Sequence, residues 1–189
     1  MIPRRSAAII IGIALVTSCA GPVALGPVKP NPFVHPVEGM KDTILQVYFA
    51  PAVQDAFRVE PTNMRPIDVS QFRSSLREGL TRAFCGSFQR VVFVDSVPAL
   101  CLVLSLERCE PRGIKAGNVP VADGIVAYDL RFDVRYLASL VEEGQKVASA
   151  QNEVTGKDVS WKAADQPRLM ENSLELMVVD LRDKLFARH

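Results

Sequence analysis

From Tyr128 onward the chain alternates between apolar and charged residues. Tyr128, Leu130, Phe132, Val134 and Tyr136 fall on one face, and Asp129, Arg131, Asp133 and Arg135 on the other. A period of two marks a half-buried strand with one face on a core and one in water. Ile125 to Leu137 is therefore predicted as a long antiparallel strand. Thr43 to Ala50 repeats the pattern with Leu45, Val47 and Phe49 on one face, closed by Pro51. Two more strands are read at Arg90 to Asp95 and at Leu100 to Cys109, the second with Leu102, Leu104 and Leu106 facing one way. A last one follows at Gln145 to Thr155, behind a hairpin turn at Glu142-Glu143-Gly144.

Two segments carry a helical period instead. Asp68 and Gln71 have capping-box spacing, and Val69, Phe72, Leu76, Leu80, Ala83 and Phe84 form one apolar stripe, with Gly86 placed to end the helix. From about Ala164, Leu174, Met177, Val178, Leu181 and Leu185 form a second stripe, with Arg182, Lys184 and Arg188 beside the carbonyl end of the helix dipole. The order strand, helix, four strands, helix predicts an α+β fold: an antiparallel sheet of about five strands with both amphipathic helices packed on one face. Pro51 to Ile67, interrupted by prolines, and Glu110 to Gly124, with Pro111, Gly113, Gly117 and Pro120, read as connections.

Composition adds little: 189 residues, 48% hydrophobic and 23% charged, fit one globular domain and a leader. A formal charge of +1 gives no electrostatic case for nucleic acid. The start of the chain changes the picture. Arg4 and Arg5 precede an apolar run from Ala7 to Val16 and then Val16-Thr17-Ser18-Cys19, the order of a secretory signal peptide. The apolar run is well short of the roughly 20 residues that span a bilayer. Val16-Thr17-Ser18-Cys19 resembles the bacterial lipobox, which implies cleavage after residue 18 and a lipid on the Cys19 thiol. In such lipoproteins an aspartate after the cysteine favours the inner membrane; Ala20 here implies the outer membrane, with the domain facing the periplasm or the cell surface. Residues 19–40, rich in proline from Pro22 to Pro36, read as an extended tether, and residues 41–189 as a single domain.

An acylated cysteine, a proline-rich segment and this order of elements together resemble two envelope families: the auxiliary lipoproteins of ABC-type lipid transport and the lipopolysaccharide-assembly lipoprotein. The resemblance covers most of the mature chain and rests on element order. It implies a non-enzymatic accessory protein that binds a protein partner or a lipid. The contrasting expectation is a structural or surface lipoprotein that docks to envelope neighbours or cell wall without cargo. An acyl-sized cavity between helices and sheet would favour lipid cargo, and a filled core would favour protein docking.

Reaction chemistry is not indicated. The histidines, His35 and His189, lie in the tether and at the terminus, so no Ser-His or Cys-His pair is expected. No zinc spacing, HExxH or phosphate loop is present, and no cofactor is expected. Export places Cys85, Cys101 and Cys109 in an oxidising compartment. Cys101 and Cys109 sit at opposite ends of one strand, about 25 Å apart. If the strand at Val91 to Val94 forms a hairpin with the next, Cys85 comes nearest Cys109, and a Cys85–Cys109 disulfide is predicted. For a partner surface, the loop Ala52 to Pro66 is the first candidate, with Phe57, Val59 and Met64 as apolar contacts and Arg58 and Arg65 at the rim, ahead of the loop Glu110 to Gly124 and the charged face of the sheet.

Overall fold

The computed structural model describes residues 22–60, 66–122, 125–160 and 166–186, with side chains for all of these except 113–122, 125–130 and 158–160. Cys19, Met64, Arg65 and His189 lie outside the described residues.

Among the described residues, eight strands and two helices form an α+β fold: β1 (Val23–Leu25), β2 (Ile44–Phe49), β3 (Phe57–Val59), β4 (Ile67–Val69), α1 (Phe72–Phe84), β5 (Arg90–Val94), β6 (Leu102–Ala122), β7 (Ile125–Glu142), β8 (Gln145–Ser160) and α2 (Gln166–Phe186). The main sheet has the order β5-β2-β6-β7-β8, and a small one the order β1-β4-β3. The main sheet is mixed, not antiparallel as expected. β2 runs parallel to both neighbours, with Leu45 opposite Val91 on one side and Leu102 on the other. The cause is connectivity: α1 lies between β2 and β5, and a strand reached through a helical crossover returns in the same direction. β5 and β6 are likewise not a hairpin, since both flank β2. The meander β6-β7-β8 is antiparallel, and its turn has Glu143 at φ 49° and Gly144 at φ 77°, the left-handed pair of a type I′ hairpin.

Leu45, Val47, Leu104 and Leu106 of the sheet meet Phe72, Leu76, Leu80 and Phe84 of α1 and Leu174, Met177, Val178 and Leu181 of α2 in one continuous core. The start of α1 departs from the sequence pattern. Asp68 and Val69 belong to β4, where Asp68 faces Arg58 of β3, and Gln71 takes φ 55° at the helix start without a side-chain cap. The exposed amides are met from elsewhere: Phe72 N–H donates to the Asp55 carbonyl and Arg73 N–H to Asp55 Oδ1, each at 2.9 Å. At the other end Cys85, not Gly86, is the cap residue.

The proline-rich segment is not a free tether. Leu25, Val28, Pro30, Pro32 and Val37 are buried. Val28 N–H donates to Ser75 Oγ and Val37 N–H to Ser87 Oγ, both at 2.9 Å, and Arg182 of α2 donates to the His35 and Pro36 carbonyls. Pro30 sits 3.4 Å from where a Cβ on Gly79 would stand, so the strap lies directly on α1. A proline-rich chain has no regular backbone partners of its own, and here hydroxyls of α1 and of the turn after it supply them.

Cys85, Cys101 and Cys109 are free thiols, so the predicted Cys85–Cys109 bridge is not present. With β5 and β6 both parallel to β2, the start of β5 lies at the start of β6, and Cys109 is further along. Cys109 is also turned inward, its Sγ 3.6 Å from Met177 Sδ, and burial pushes its thiol pKa well above the usual range. A maleimide applied to the native protein should therefore label exposed Cys85 and leave Cys109 unmodified until denaturant is added. A linked Cys85–Cys109 peptide in a non-reducing map would contradict the structure.

Beneath α2, Tyr136 OH donates to Asp180 Oδ2, which also accepts from Asn152 at 2.9 Å and lies 3.1 Å from Lys184 Nζ. Burial raises the Asp180 carboxyl, but these three partners outweigh it and hold the pKa below the ordinary value. Glu107 is lowered too, chiefly by Ser139 and then Lys146. A carboxylate lowered on folding contributes stability above its unfolded pKa of about 4, and that contribution is lost as pH falls through the folded value. Urea midpoints should hold between pH 7 and 5 and fall below about pH 4. Asp180→Asn should reduce that fall, and an equally steep fall in the variant would refute the assignment.

Candidate functional site

The site follows from a mismatch in strand length. β2 ends at Phe49, and Ala50 N–H donates to the Leu106 carbonyl at 3.0 Å as the last backbone link. Pro51 then turns the chain away, with Val53 fully buried as an anchor. β6 continues to Ala122. Beyond Leu106 its edge opposite β7 is therefore unpaired among the described residues. The connection expected at Glu110 to Gly124 is largely this strand, passing through Pro111, Gly113, Gly117 and Pro120, with irregular register after Leu106, Pro111 and Pro120. Proline is tolerated there because an edge strand needs no amide on its open side.

In line with the end of β2, a cleft of about 270 Å³ lies between the segment after β2 and this open edge. Ala52, Gln54, Phe57 and Arg58 form one wall, and Cys109, Glu110, Pro111 and Arg112 the other. The long loop after Pro51 is thus partly ordered as β3, which pairs antiparallel with β4. Phe57 lies edge-on against Phe72, ring centroids 5.0 Å apart, and remains partly exposed. Val59 is 5% exposed and belongs to the core, not to a contact surface. Arg58 donates to both Asp68 oxygens at 2.7 and 3.0 Å, and this hydrogen bonding lowers the Asp68 pKa. Both groups are exposed, so the pair orients the rim of the cleft and adds little stability. Glu110 lies 3.4 Å from Arg108, whereas Arg112 is exposed and forms no ion pair among the described residues.

Of the residues singled out from sequence, the structure brings Phe57 and Arg58 to the cleft and sends Val59 inward. The opposite wall, Glu110 to Arg112, belongs to the second candidate segment, Glu110 to Gly124, whose strand character is hidden in the sequence because Pro111 reads as a chain breaker. The usable signal was the longer period-two run of Leu100 to Cys109 beside a strand closed by Pro51. Among the described residues no group of His, Cys, Asp and Glu can hold a metal ion, and no helix is long and apolar enough to cross a membrane. The cleft offers hydrogen-bonding backbone, one half-exposed aromatic ring and mixed charge. That combination suits an extended peptide.

No protein-family model and no curated protein matches the chain. Solved structures resemble it, two of them as follows. One is a protein of Xanthomonas campestris, family DUF330, 15% identical, with 84% of this chain and 92% of that chain covered and a TM-score of 0.44. The other is a minor lipoprotein of Acinetobacter baumannii, 11% identical, with 78% and 93% covered and a TM-score of 0.38. Likeness at these scores and identities assigns no function.

Proposed function

We propose that this chain is a lipid-anchored accessory lipoprotein of the Gram-negative envelope that holds an extended segment of a partner protein as an added strand on β6. The observation that carries the reading is the open edge of β6 with a cleft where β2 stops. Main-chain hydrogen bonds along such an edge give affinity, and pockets for alternate side chains give selectivity. Val16-Thr17-Ser18-Cys19 supports the anchor, and Ala20 the outer membrane. The strap changes the geometry of anchoring. Val23 of β1 is four residue steps from Cys19, so at about 3.5 Å per step the domain begins within roughly 14 Å of the acylated residue. It sits at the membrane surface instead of reaching away from it.

The filled interface between helices and sheet favours a protein partner over an acyl chain: Leu45, Leu104, Leu106, Phe72 and Phe84 are each at 0% exposure there. Ala52 is exposed at the cleft mouth, so Ala52→Trp fills the cleft without entering the core. Labelled palmitate should enter the wild type and Ala52→Trp alike and be absent from Cys19→Ser. The partner that co-purifies with the wild type should be lost from Ala52→Trp at an unchanged melting temperature. Equal recovery from the filled variant would overturn the reading.

A further inference from the structure

A second cleft, of about 290 Å³, lies at the carboxyl ends of the parallel strands β2 and β5. Its position is special in the topology. The chain leaves β2 toward α1, on the helix side of the sheet, and enters β5 on one flank of β2. It leaves β5 to reach β6 on the other flank, and a crossover of the same right-handed sense in the reverse direction passes over the opposite face. Val103, between inward-facing Leu102 and Leu104, is fully buried on that face. The two loops therefore part at the tips of β2 and β5. Crevices where loops part in this way are where sheets with parallel strands bind ligands.

The lining fits one class of ligand. Arg73 and Arg77 are one turn apart on α1 and both face the cleft, with Phe49, Phe93, Tyr48 and Asp95 around them. Like charges at this spacing repel, and neither guanidinium is ion-paired among the described residues. Arg73 is held in place by the Val53 carbonyl, 2.7 Å from its Nε, and by the Ala50 carbonyl, 3.5 Å from an Nη. Arg77 lies over the Phe93 ring, its Cζ 5.0 Å from the centroid, and Phe93 is braced by Phe49 at 5.6 Å. Both guanidinium groups line this one space with no carboxylate bonded to either, and Arg73 keeps its Nη1 donors beyond the two carbonyl contacts.

We infer that this cleft binds a phosphate group between Arg73 and Arg77. Guanidinium recognises phosphate by paired N–H donors, and a bound anion also offsets the repulsion between the two arginines. Asp95 at the rim works against the anion and keeps binding weak enough to be reversible. Two sources carry this chemistry: free inorganic phosphate, and the phosphodiester of a phospholipid headgroup. The lipid source rests on the membrane-anchored reading above; the site itself does not.

The test is calorimetric titration, at low salt, of the full mature lipoprotein in nonionic detergent with inorganic phosphate and with dihexanoyl phosphatidylglycerol. Saturable binding of either is expected, weakened about tenfold or more in Arg77→Gln. That variant loses only a ring contact and should melt as the wild type does. Asp95→Asn should tighten binding about two- to fivefold. Displacement of bound phosphatidylglycerol by phosphate, with the lipid binding more tightly, assigns the headgroup source, and binding of phosphate alone assigns the free ion. No saturable binding of either probe, or unchanged binding in Arg77→Gln, overturns the site.

Discussion

Gly156→Val should destabilise the protein by about 3 kcal/mol or more, a large part of the 5–15 kcal/mol typical of a domain. Gly156 is buried on β8 where α2 crosses it. A Cβ there would stand 2.7 Å from the Ser173 amide nitrogen and 2.9 Å from Ser173 Cα. These are backbone atoms that no rotamer change moves away. Ser173 is itself pinned, its Oγ 2.9 Å from both the Phe132 and the Leu169 carbonyl. Ser173→Ala should therefore fail to rescue Gly156→Ala. Gly86→Ala is the matched control, because nothing lies within 4 Å of a Cβ at that position. Urea denaturation of these variants tests the close approach of α2 to the sheet, and equal midpoints for Gly156→Val and wild type would refute it.

Leu25→Ala should cost about 2–5 kcal/mol, the range for a buried leucine truncated in a packed core. Under a free-tether reading the same change would cost nothing. Leu25 is 5% exposed, with Ser70 N–H donating to its carbonyl at 2.9 Å and its strand paired with β4. Exposed Phe33 lies in the same segment, so Phe33→Ala should leave stability unchanged and separates packing from composition. Thermal melting of both variants in detergent decides between strap and tether.

What was legible in the sequence was what short-range pattern controls. The alternation from Tyr128 to Tyr136 placed Phe132, Val134 and Tyr136 in the core, where each is at most 1% exposed. One position broke ranks: Asp133, expected in water, is 5% exposed and accepts a hydrogen bond from Thr155. The α+β class and both helices followed from periodicity. Strand direction did not, because whether β5 pairs with β6 or with β2 is a long-range choice that both patterns permit. Asp68 and Gln71 matched a capping box, yet pairing of β4 with β3 won, and Asp55 supplies the cap from across the loop. Pro22 to Pro36 has the composition of a tether, and long-range partners, the hydroxyls of Ser75 and Ser87, Arg182 and strand β4, turn it into a strap. At the site, Phe57 was legible as an apolar residue in a loop, while the opposite wall was legible as a second exposed segment and its strand character was hidden by Pro111, a breaker in isolation but acceptable on an unpaired edge.

Strand addition on β6 is tested most directly by photo-cross-linking in intact cells. A benzophenone amino acid is placed at Gln54 and at Arg112, on the two walls of the cleft, and at Gln151 on the outer strand β8 as a control. All three positions are exposed. The expected result is an adduct from Gln54 and from Arg112 to one contiguous segment of the same partner, absent from Gln151 and abolished by Ala52→Trp. Adducts of equal yield from Gln151, or adducts from Gln54 and Arg112 that survive Ala52→Trp, would contradict it.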